Sequence, residues 1–224
     1  MDSALSGGPD TELLDGGSRP AWVDQMFAVM SRPLARDGDA GGKPDHFAHA
    51  VQMMERKGVS AVVIDDQCGD KRHSLLPESG LHTLAPIDDV CGKSSRGKEA
   101  QSPDEFMIFA HLEGLTTGIG AEEVLERASN YVKAGADGLV VHSRSSEEAV
   151  VTDVIRELRS RHPEIPLVAI SSPYRAVSLE SPPARYCCSY TIPVTRSGGE
   201  LPVVVEHHCS TAVTGCVSSE TSAP

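Results

Sequence analysis

The stretch that decides the fold is "HFAHAVQMMERKGVSAVVIDD" (residues 46–66), in which a helical pattern runs through a glycine into a short apolar segment. Its first part places apolar residues at the i, i+3, i+4, i+7 spacing of an amphipathic helix: Phe47, Ala50, Val51 and Met54. Gly58 is a helix stop signal, and "SAVVI" (60–64) then predicts a buried strand that ends at two carboxylates. A helix followed by a continuously apolar strand is typical of a parallel α/β fold.

The same alternation recurs along the chain. "FMIFA" (106–110), "DGLVV" (137–141) and "PLVAI" (166–170) are further apolar runs, and "RPLA" (32–35) precedes them. Helices are predicted over 121–135 and about 146–162, with these residues inward: Val124, Leu125, Ala128, Tyr131 and Val132 in the first, Val150, Val151, Val154, Ile155 and Leu158 in the second. Residues 65–105 are interpreted as a long polar segment. About four or five βα units result, fewer than the eight that a closed barrel needs.

The ends of the chain differ from this regular middle. Residues 1–20 are predicted to be a flexible leader, residues 21–175 the α/β domain, and residues 176–224 a low-order tail with one β-like run, "PVVVEH" (202–207). The chain lacks a run of about eighteen apolar residues, so we expect no membrane span. The leader also lacks the basic and apolar regions of a signal peptide.

The composition restricts the class of partner and the compartment. The net charge of −12 argues against non-specific nucleic-acid binding, which needs a basic surface. The six cysteines show no CxxC spacing, which favours reduced thiols in a cytoplasmic protein. An acidic protein that binds an anion must concentrate positive charge locally, on a metal ion or on Lys, Arg or His.

Ionisable and hydroxyl residues follow nearly every predicted strand, where parallel α/β folds place their functional groups. In chain order they are Asp37 and Asp39; Asp65 and Asp66 with Lys71, Arg72, His73 and Ser74; His111 and Glu113; and His142, Ser143 and Arg144. Each alone also fits a structural role, as a turn, a solvated loop or a hydrogen-bonded core histidine. Together they predict one polar rim, whose oxygen ligands favour Mg²⁺ or Mn²⁺.

These segments resemble the phosphoenolpyruvate mutase/isocitrate lyase superfamily, in its phosphoenolpyruvate mutase and phosphonopyruvate hydrolase branch. "RPLARDGDAGG" is similar to the metal-binding D-x-D-x-G-x-G strand, and "ERKGVSAVVIDDQCGDKRHSLL" to the E-D-K segment with its K-x-N-S-L gating loop. "AHLEGLTTGIGAEEVLERASNYVKAGADGLVVHS" resembles the A-R-x-E-A, G-x-x-E-A-x-x-R-A and A-G-A-D-x-x-x-x-H-S motifs, and "LVAISSPY" the V-P-T-x-Y strand. The likeness runs collinearly from about Trp22 to Tyr174.

The resemblance implies a (β/α)₈ TIM barrel. This chain matches part of that barrel, and the barrel's first and last strands have no counterpart in the sequence. It implies Mg²⁺ (or Mn²⁺), a small anionic substrate such as phosphoenolpyruvate or phosphonopyruvate, and an arrangement as a possible homo-oligomer. The implied metal residues are Asp37, Asp39 and Asp65; the implied catalytic residues are Lys71, His73, Ser74, His111 and His142; the implied substrate-binding residues are Leu75, Glu113 and Ser143.

Three departures from the family pattern leave several functions open. His111 stands where the family has Arg, His73 where its gating loop has Asn, and Gln67 where E-D-K has Lys. The first hypothesis is a phosphoenolpyruvate mutase that forms or cleaves a P–C bond. The alternatives are a phosphonopyruvate hydrolase, a carbon–carbon lyase of the 2-methylisocitrate type, and a truncated, catalytically inactive homologue.

Overall fold

The computed structural model of the chain describes residues 20–29, 33–69, 83–102, 105–143, 148–170, 189–196 and 199–206. The helices are α1 (Pro20–Phe27), α2 (Pro44–Arg56), α3 (Ile87–Ala100), α4 (Gly114–Thr117), α5 (Ala121–Lys133) and α6 (Glu148–Arg161). The strands are β1 (Leu34–Asp37), β2 (Ala61–Asp65), β3 (Gln67–Cys68), β4 (Thr83–Leu84), β5 (Met107–Leu112), β6 (Gly138–His142), β7 (Leu167–Ile170), β8 (Ser189–Arg196) and β9 (Gly199–Glu206).

The main sheet is parallel over most of its width. Its seven described strands lie in the order β7-β6-β5-β2-β1-β9-β8, and only the β8–β9 pair is antiparallel. Strands β1, β2, β5, β6 and β7 alternate with helices and curl as part of a barrel, which confirms the predicted α/β fold class. Because these strands run in the same direction, their carboxyl ends meet at one edge.

Both faces of the parallel strands are apolar. On one face Val62, Ile64 and Ile108 pack with the helices in a large core, and on the other Val63, Phe109 and Val140 form a smaller cluster. The near-continuous apolar character of the strands follows from this two-sided burial. The predicted inward helix residues are buried or partly buried with one exception: Val150 is 38% exposed, so its predicted inward position was wrong.

Helix α3 was missed in the sequence, where residues 65–105 were interpreted as a polar segment. Its buried stripe consists of Val90, Lys93, Ser94 and Gly97, a helical spacing carried mostly by polar or small residues. A Cβ atom at Gly97 would lie 2.6 Å from a ring carbon of Phe47 and 2.7 Å from Ile108, so α3 needs glycine there to approach α2 and the sheet. Hydrophobic periodicity therefore could not detect this helix.

The C-terminal stretch is described only at β8 and β9, which form a hairpin whose second strand contains most of the β-like run "PVVVEH". Strand β9 pairs in parallel with β1, through Leu34 and Ala35. The division into leader, α/β domain and tail stays a prediction. No helix in the described ranges combines the length and the apolar composition needed to cross a membrane.

Candidate active site

Ionisable side chains lie at the carboxyl ends of four neighbouring strands. Asp37 ends β1, Asp65 ends β2, His111 is the last residue but one of β5, and His142 ends β6. Strand pairing sets Asp65 directly beside His111. The strands extend one or two residues beyond the apolar runs seen in the sequence, so these side chains are held by the sheet itself rather than by loops.

The turn after β1 is attached to the end of β2. Asp39 has a φ of +52°, its amide donates to Asp37 Oδ1 at 2.8 Å, and the amide of Asp65 donates to the carbonyl of Asp39 at 2.8 Å. A Cβ at Gly38 would lie 2.7 Å from the Val62 side chain, so the close approach of the two strand ends requires glycine. Asp39 and Asp65 are buried, and Asp37 is half-buried.

This donor set fits Mg²⁺. The ion takes oxygen ligands, engages one or two carboxylates and keeps several waters. The carboxylates of Asp37, Asp39 and Asp65 lie on two adjacent strand ends, although among the described residues they do not form a group whose ligand atoms all lie within 4.8 Å of one another. Asp65 is oriented from both sides: Gln67 Nε2 donates to its Oδ2 at 3.0 Å, and His111 Nδ1 lies 2.7 Å from its Oδ1.

A second cluster, the His111–Glu113–His142 cluster, lies beside Asp65. Glu113 Oε1 is 3.5 Å from His111 Nδ1 and 3.7 Å from His142 Nδ1, and Thr116 Oγ1 donates to the other carboxylate oxygen at 2.9 Å. The two imidazole rings lie 5.6 Å apart, 19° from parallel. All three side chains of the cluster are buried, so water screens their charges little.

Mutual charge determines the protonation of the cluster. Burial alone would lower the pKa of His111, but the negative charges of Glu113 and Asp65 outweigh it and raise the pKa to about 9. Burial alone would raise the pKa of Glu113, but His111 and His142 lower it well below its usual range. At neutral pH the cluster therefore holds an imidazolium against a carboxylate.

A buried network that the sequence pattern does not indicate lies behind the site. Asp66 Oδ1 accepts from the Glu113 amide at 2.8 Å, and Asp66 Oδ2 accepts from the Tyr131 hydroxyl at 3.0 Å. Arg127 Nη1 donates to that hydroxyl at 3.1 Å and to the carbonyl of Ala85 at 2.9 Å. The sequence does contain one sign of this network: Arg127 lies on the apolar face of α5, four residues before Tyr131. A buried guanidinium needs hydrogen-bond acceptors nearby.

The structure thus brings six of the predicted site residues to one rim: Asp37, Asp39, Asp65, His111, Glu113 and His142. Ser143 follows His142 directly and is buried. Lys71, His73, Ser74 and Leu75 lie outside the described residues, between 69 and 83. The individual roles given to all these residues stay predictions.

A parallel sheet curled as part of a barrel, with carboxylates and imidazoles at its carboxyl edge, defines part of a (β/α)-barrel architecture. The sequence profile of the family described as phosphoenolpyruvate phosphomutase matches residues 1–181. The chain therefore belongs to the phosphoenolpyruvate phosphomutase family.

Similar proteins agree with this assignment. Phosphoenolpyruvate phosphomutase of Tetrahymena pyriformis is 34% identical over 134 residues, which are 59% of this chain and 44% of that protein. The crystal structure of phosphoenolpyruvate phosphomutase from Streptomyces platensis subsp. rosaceus superposes with a TM-score of 0.72 at 31% identity, over 79% of this chain and 60% of that one. Phosphonopyruvate hydrolase in complex with oxalate and Mg²⁺ superposes with a TM-score of 0.67 at 26% identity, over 77% and 58%. The chain spans about half the length of the curated relatives it matches.

Proposed function

We propose that the chain is a Mg²⁺-dependent enzyme that interconverts phosphoenolpyruvate and phosphonopyruvate, forming and cleaving a P–C bond. The observation that carries the proposal is the convergence of the three aspartates and the His111–Glu113–His142 cluster on one rim of the sheet. The names of the similar mutases and the hydrolase support the choice of substrate class. A possible homo-oligomer and a cytoplasmic location remain part of this proposal.

In this proposal Asp37, Asp39 and Asp65 hold Mg²⁺ or its water ligands. When bound, the ion supplies positive charge that neutralises the carboxylate and the enolate oxygen of the substrate. Asp65 has a further function, because its contacts with Gln67 and His111 fix the direction of both side chains. The reacting group would then sit between the aspartates and the imidazoles.

His111 and His142 would bind the phosphoryl oxygens. The imidazolium of His111 offers a charged donor where the family has a guanidinium, and charge-assisted hydrogen bonds are about twice as strong as neutral ones. Glu113 lies against both rings and would hold them in position, with Thr116 orienting its carboxylate. His111 lacks the forked geometry of arginine, so we expect weaker binding of a planar carboxylate or phosphoryl group than in the arginine-bearing pattern.

The remaining roles rest on the resemblance. Lys71, His73 and Ser74, with Leu75, would close over the substrate and exclude water from the transferring phosphoryl group. Ser143 would bind the substrate next to His142. The second candidate is a phosphonopyruvate hydrolase, in which water takes the phosphoryl group; the replacement of the loop Asn by His73 favours it.

A ³¹P NMR time course separates these functions. The full chain is incubated with phosphonopyruvate and Mg²⁺. A growing phosphoenolpyruvate resonance is expected, whereas growth of inorganic phosphate alone would support the hydrolase instead. Absence of turnover together with a broad, uncooperative melt would refute both the mutase and the hydrolase function, and would support a catalytically inactive homologue. Asp37→Ala is the control, since activity that survives in that variant contradicts the metal assignment.

A further inference from the structure

We propose that the His111–Glu113–His142 cluster binds one divalent transition-metal ion of the Zn²⁺ class, at a site separate from the Mg²⁺ aspartates. The inference rests on the positions and chemistry of these three side chains. In a chain that holds this ion the imidazoles are neutral ligands, so the ion replaces the imidazolium donor of the proposed function.

The ligand atoms are close to the spacing that such an ion needs. Zn–N and Zn–O bonds of about 2.0–2.2 Å at a tetrahedral centre put neighbouring ligand atoms about 3.3–3.5 Å apart. Glu113 Oε1 lies 3.5 Å from His111 Nδ1 and 3.7 Å from His142 Nδ1. Each of the three residues offers one ligand atom such that all three atoms lie within 4.8 Å of one another. The imidazoles must turn about χ2 so that both ring planes meet the ion, because the planes are now 19° from parallel. His111 Nδ1 must also exchange its 2.7 Å contact with Asp65 Oδ1 for the ion.

The donor types select a transition metal over Mg²⁺. Two imidazole nitrogens and one carboxylate oxygen are the ligands of several catalytic zinc sites and of the two-histidine, one-carboxylate iron site, whereas Mg²⁺ prefers oxygen. The carboxylate is already oriented, since Thr116 Oγ1 donates to its other oxygen, Oε2, at 2.9 Å. Such surrounding hydrogen bonds position metal ligands and strengthen binding.

The charge around the cluster also favours a cation. Glu113 belongs to the cluster, Asp65 Oδ1 lies 2.7 Å from His111, and both carboxylates are buried. An arginine at position 111, as in the family pattern, would fill the same volume with a fixed cation and exclude the metal.

The test uses Co²⁺ as a probe with the purified full chain, stripped first with a chelator. In about a hundredfold excess of Mg²⁺, which keeps Co²⁺ off the aspartates, we expect one Co²⁺ per chain with visible d–d absorption bands, and we expect Zn²⁺ to displace it. His142→Gln and His111→Arg should each weaken Co²⁺ binding by at least about 100-fold, because changes in groups that merely support a ligand already cost about 10–100-fold. Circular dichroism checks that both variants fold.

Two further measurements keep the result decisive. The double variant His46→Ala/His49→Ala is the matched control, since these exposed histidines on α2 could bind Co²⁺ adventitiously. The proposal would be overturned if the control variant lost Co²⁺ binding while His142→Gln kept it. Thiolate-to-Co²⁺ charge-transfer bands would also overturn it, because they would show that cysteine binds the ion. X-ray absorption of the zinc-loaded wild-type chain should show two imidazole ligands, and a spectrum without imidazole contradicts the site even if the variants misfold. Asp37→Ala should keep the Co²⁺ spectrum, which separates this site from the proposed Mg²⁺ site.

Discussion

Tyr131→Phe removes one hydroxyl from the buried network behind the site. The side chain of Tyr131 is fully buried, and its hydroxyl donates to Asp66 Oδ2 at 3.0 Å while it accepts from Arg127 Nη1 at 3.1 Å. Phenylalanine keeps the ring and its packing. A hydrogen bond to a charged group is worth about 1.5–3 kcal/mol, so we expect the free energy of unfolding to fall by about 2 kcal/mol at pH 7.5. For a chain of this size that lowers the Tm by about 4–8 °C.

The cost should depend on pH, because Asp66 titrates nearby. Burial raises the pKa of Asp66 from 3.8 to about 6, although the Glu113 amide, Arg127 and Tyr131 act to lower it. A carboxyl whose pKa is raised on folding stabilises the fold most below about pH 4, and that contribution is lost as the pH rises through about 6. Removal of the Tyr131 hydroxyl destabilises the ionised carboxylate of Asp66 more than the neutral carboxyl group. The cost of Tyr131→Phe should therefore shrink to about 1 kcal/mol at pH 5.

Urea denaturation at pH 5 and pH 7.5 measures both numbers. Ser129→Ala on the same helix is the control: its hydroxyl donates to the neutral carbonyl of Leu125 at 2.9 Å and lies 3.4 Å from His162 Nε2. We expect that variant to change stability by less than about 0.5 kcal/mol at either pH, since alanine also favours the helix. If Tyr131→Phe lowers the free energy of unfolding no more than Ser129→Ala does, or by the same amount at both pH values, the hydroxyl does not stabilise the ionised Asp66.

Other substitutions test other parts of the structure. Gly97→Ala should destabilise the chain by about 1–3 kcal/mol in urea, because the new Cβ would lie 2.6 Å from the Phe47 ring. On the same helix, a Cβ at Gly92 would meet nothing within 4 Å, so Gly92→Ala should instead stabilise the chain by up to about 1 kcal/mol. Equal effects of the two substitutions would contradict the close packing of α3 at Gly97. Asp137→Ala should lower the Tm, because it removes the carboxylate that accepts from the Ile108 amide at 2.8 Å and forms an ion pair with Lys98. An unchanged Tm would show that these two contacts do not stabilise the fold. Chelation of Mg²⁺ should abolish turnover of phosphonopyruvate, and excess Mg²⁺ should restore it.

The sequence predicts those parts of the fold that local periodicity encodes. The runs "AVVI" (61–64) and "LVV" (139–141) are apolar at every position because both faces of the parallel strands are covered, so these strands and the edge that carries the site are predictable. Helix α3 is not, since its buried stripe contains Lys93 and Ser94. Val150 shows the converse, an apolar residue with helical spacing whose side chain faces solvent.

The geometry of the site was less predictable, because it depends on contacts between residues far apart in the sequence. Asp66 and Tyr131 are hydrogen-bonded across 65 positions, and nothing in either local pattern indicates the pair. His111 was identified from its place in a motif, but its contact with Asp65 follows from the β2–β5 register. Register and side-chain contact of this kind emerge only when the sheet is assembled.

Oxalate binding would show whether this rim is a metal-dependent site for a small anion. Isothermal titration calorimetry of the full chain with oxalate, in the presence and absence of Mg²⁺, makes the measurement. We expect binding that requires Mg²⁺ and is lost in Asp37→Ala, whereas Asp45→Ala, a change to an exposed aspartate on α2, leaves it intact. Failure of oxalate to bind a folded chain, or binding that is the same without Mg²⁺, would contradict it.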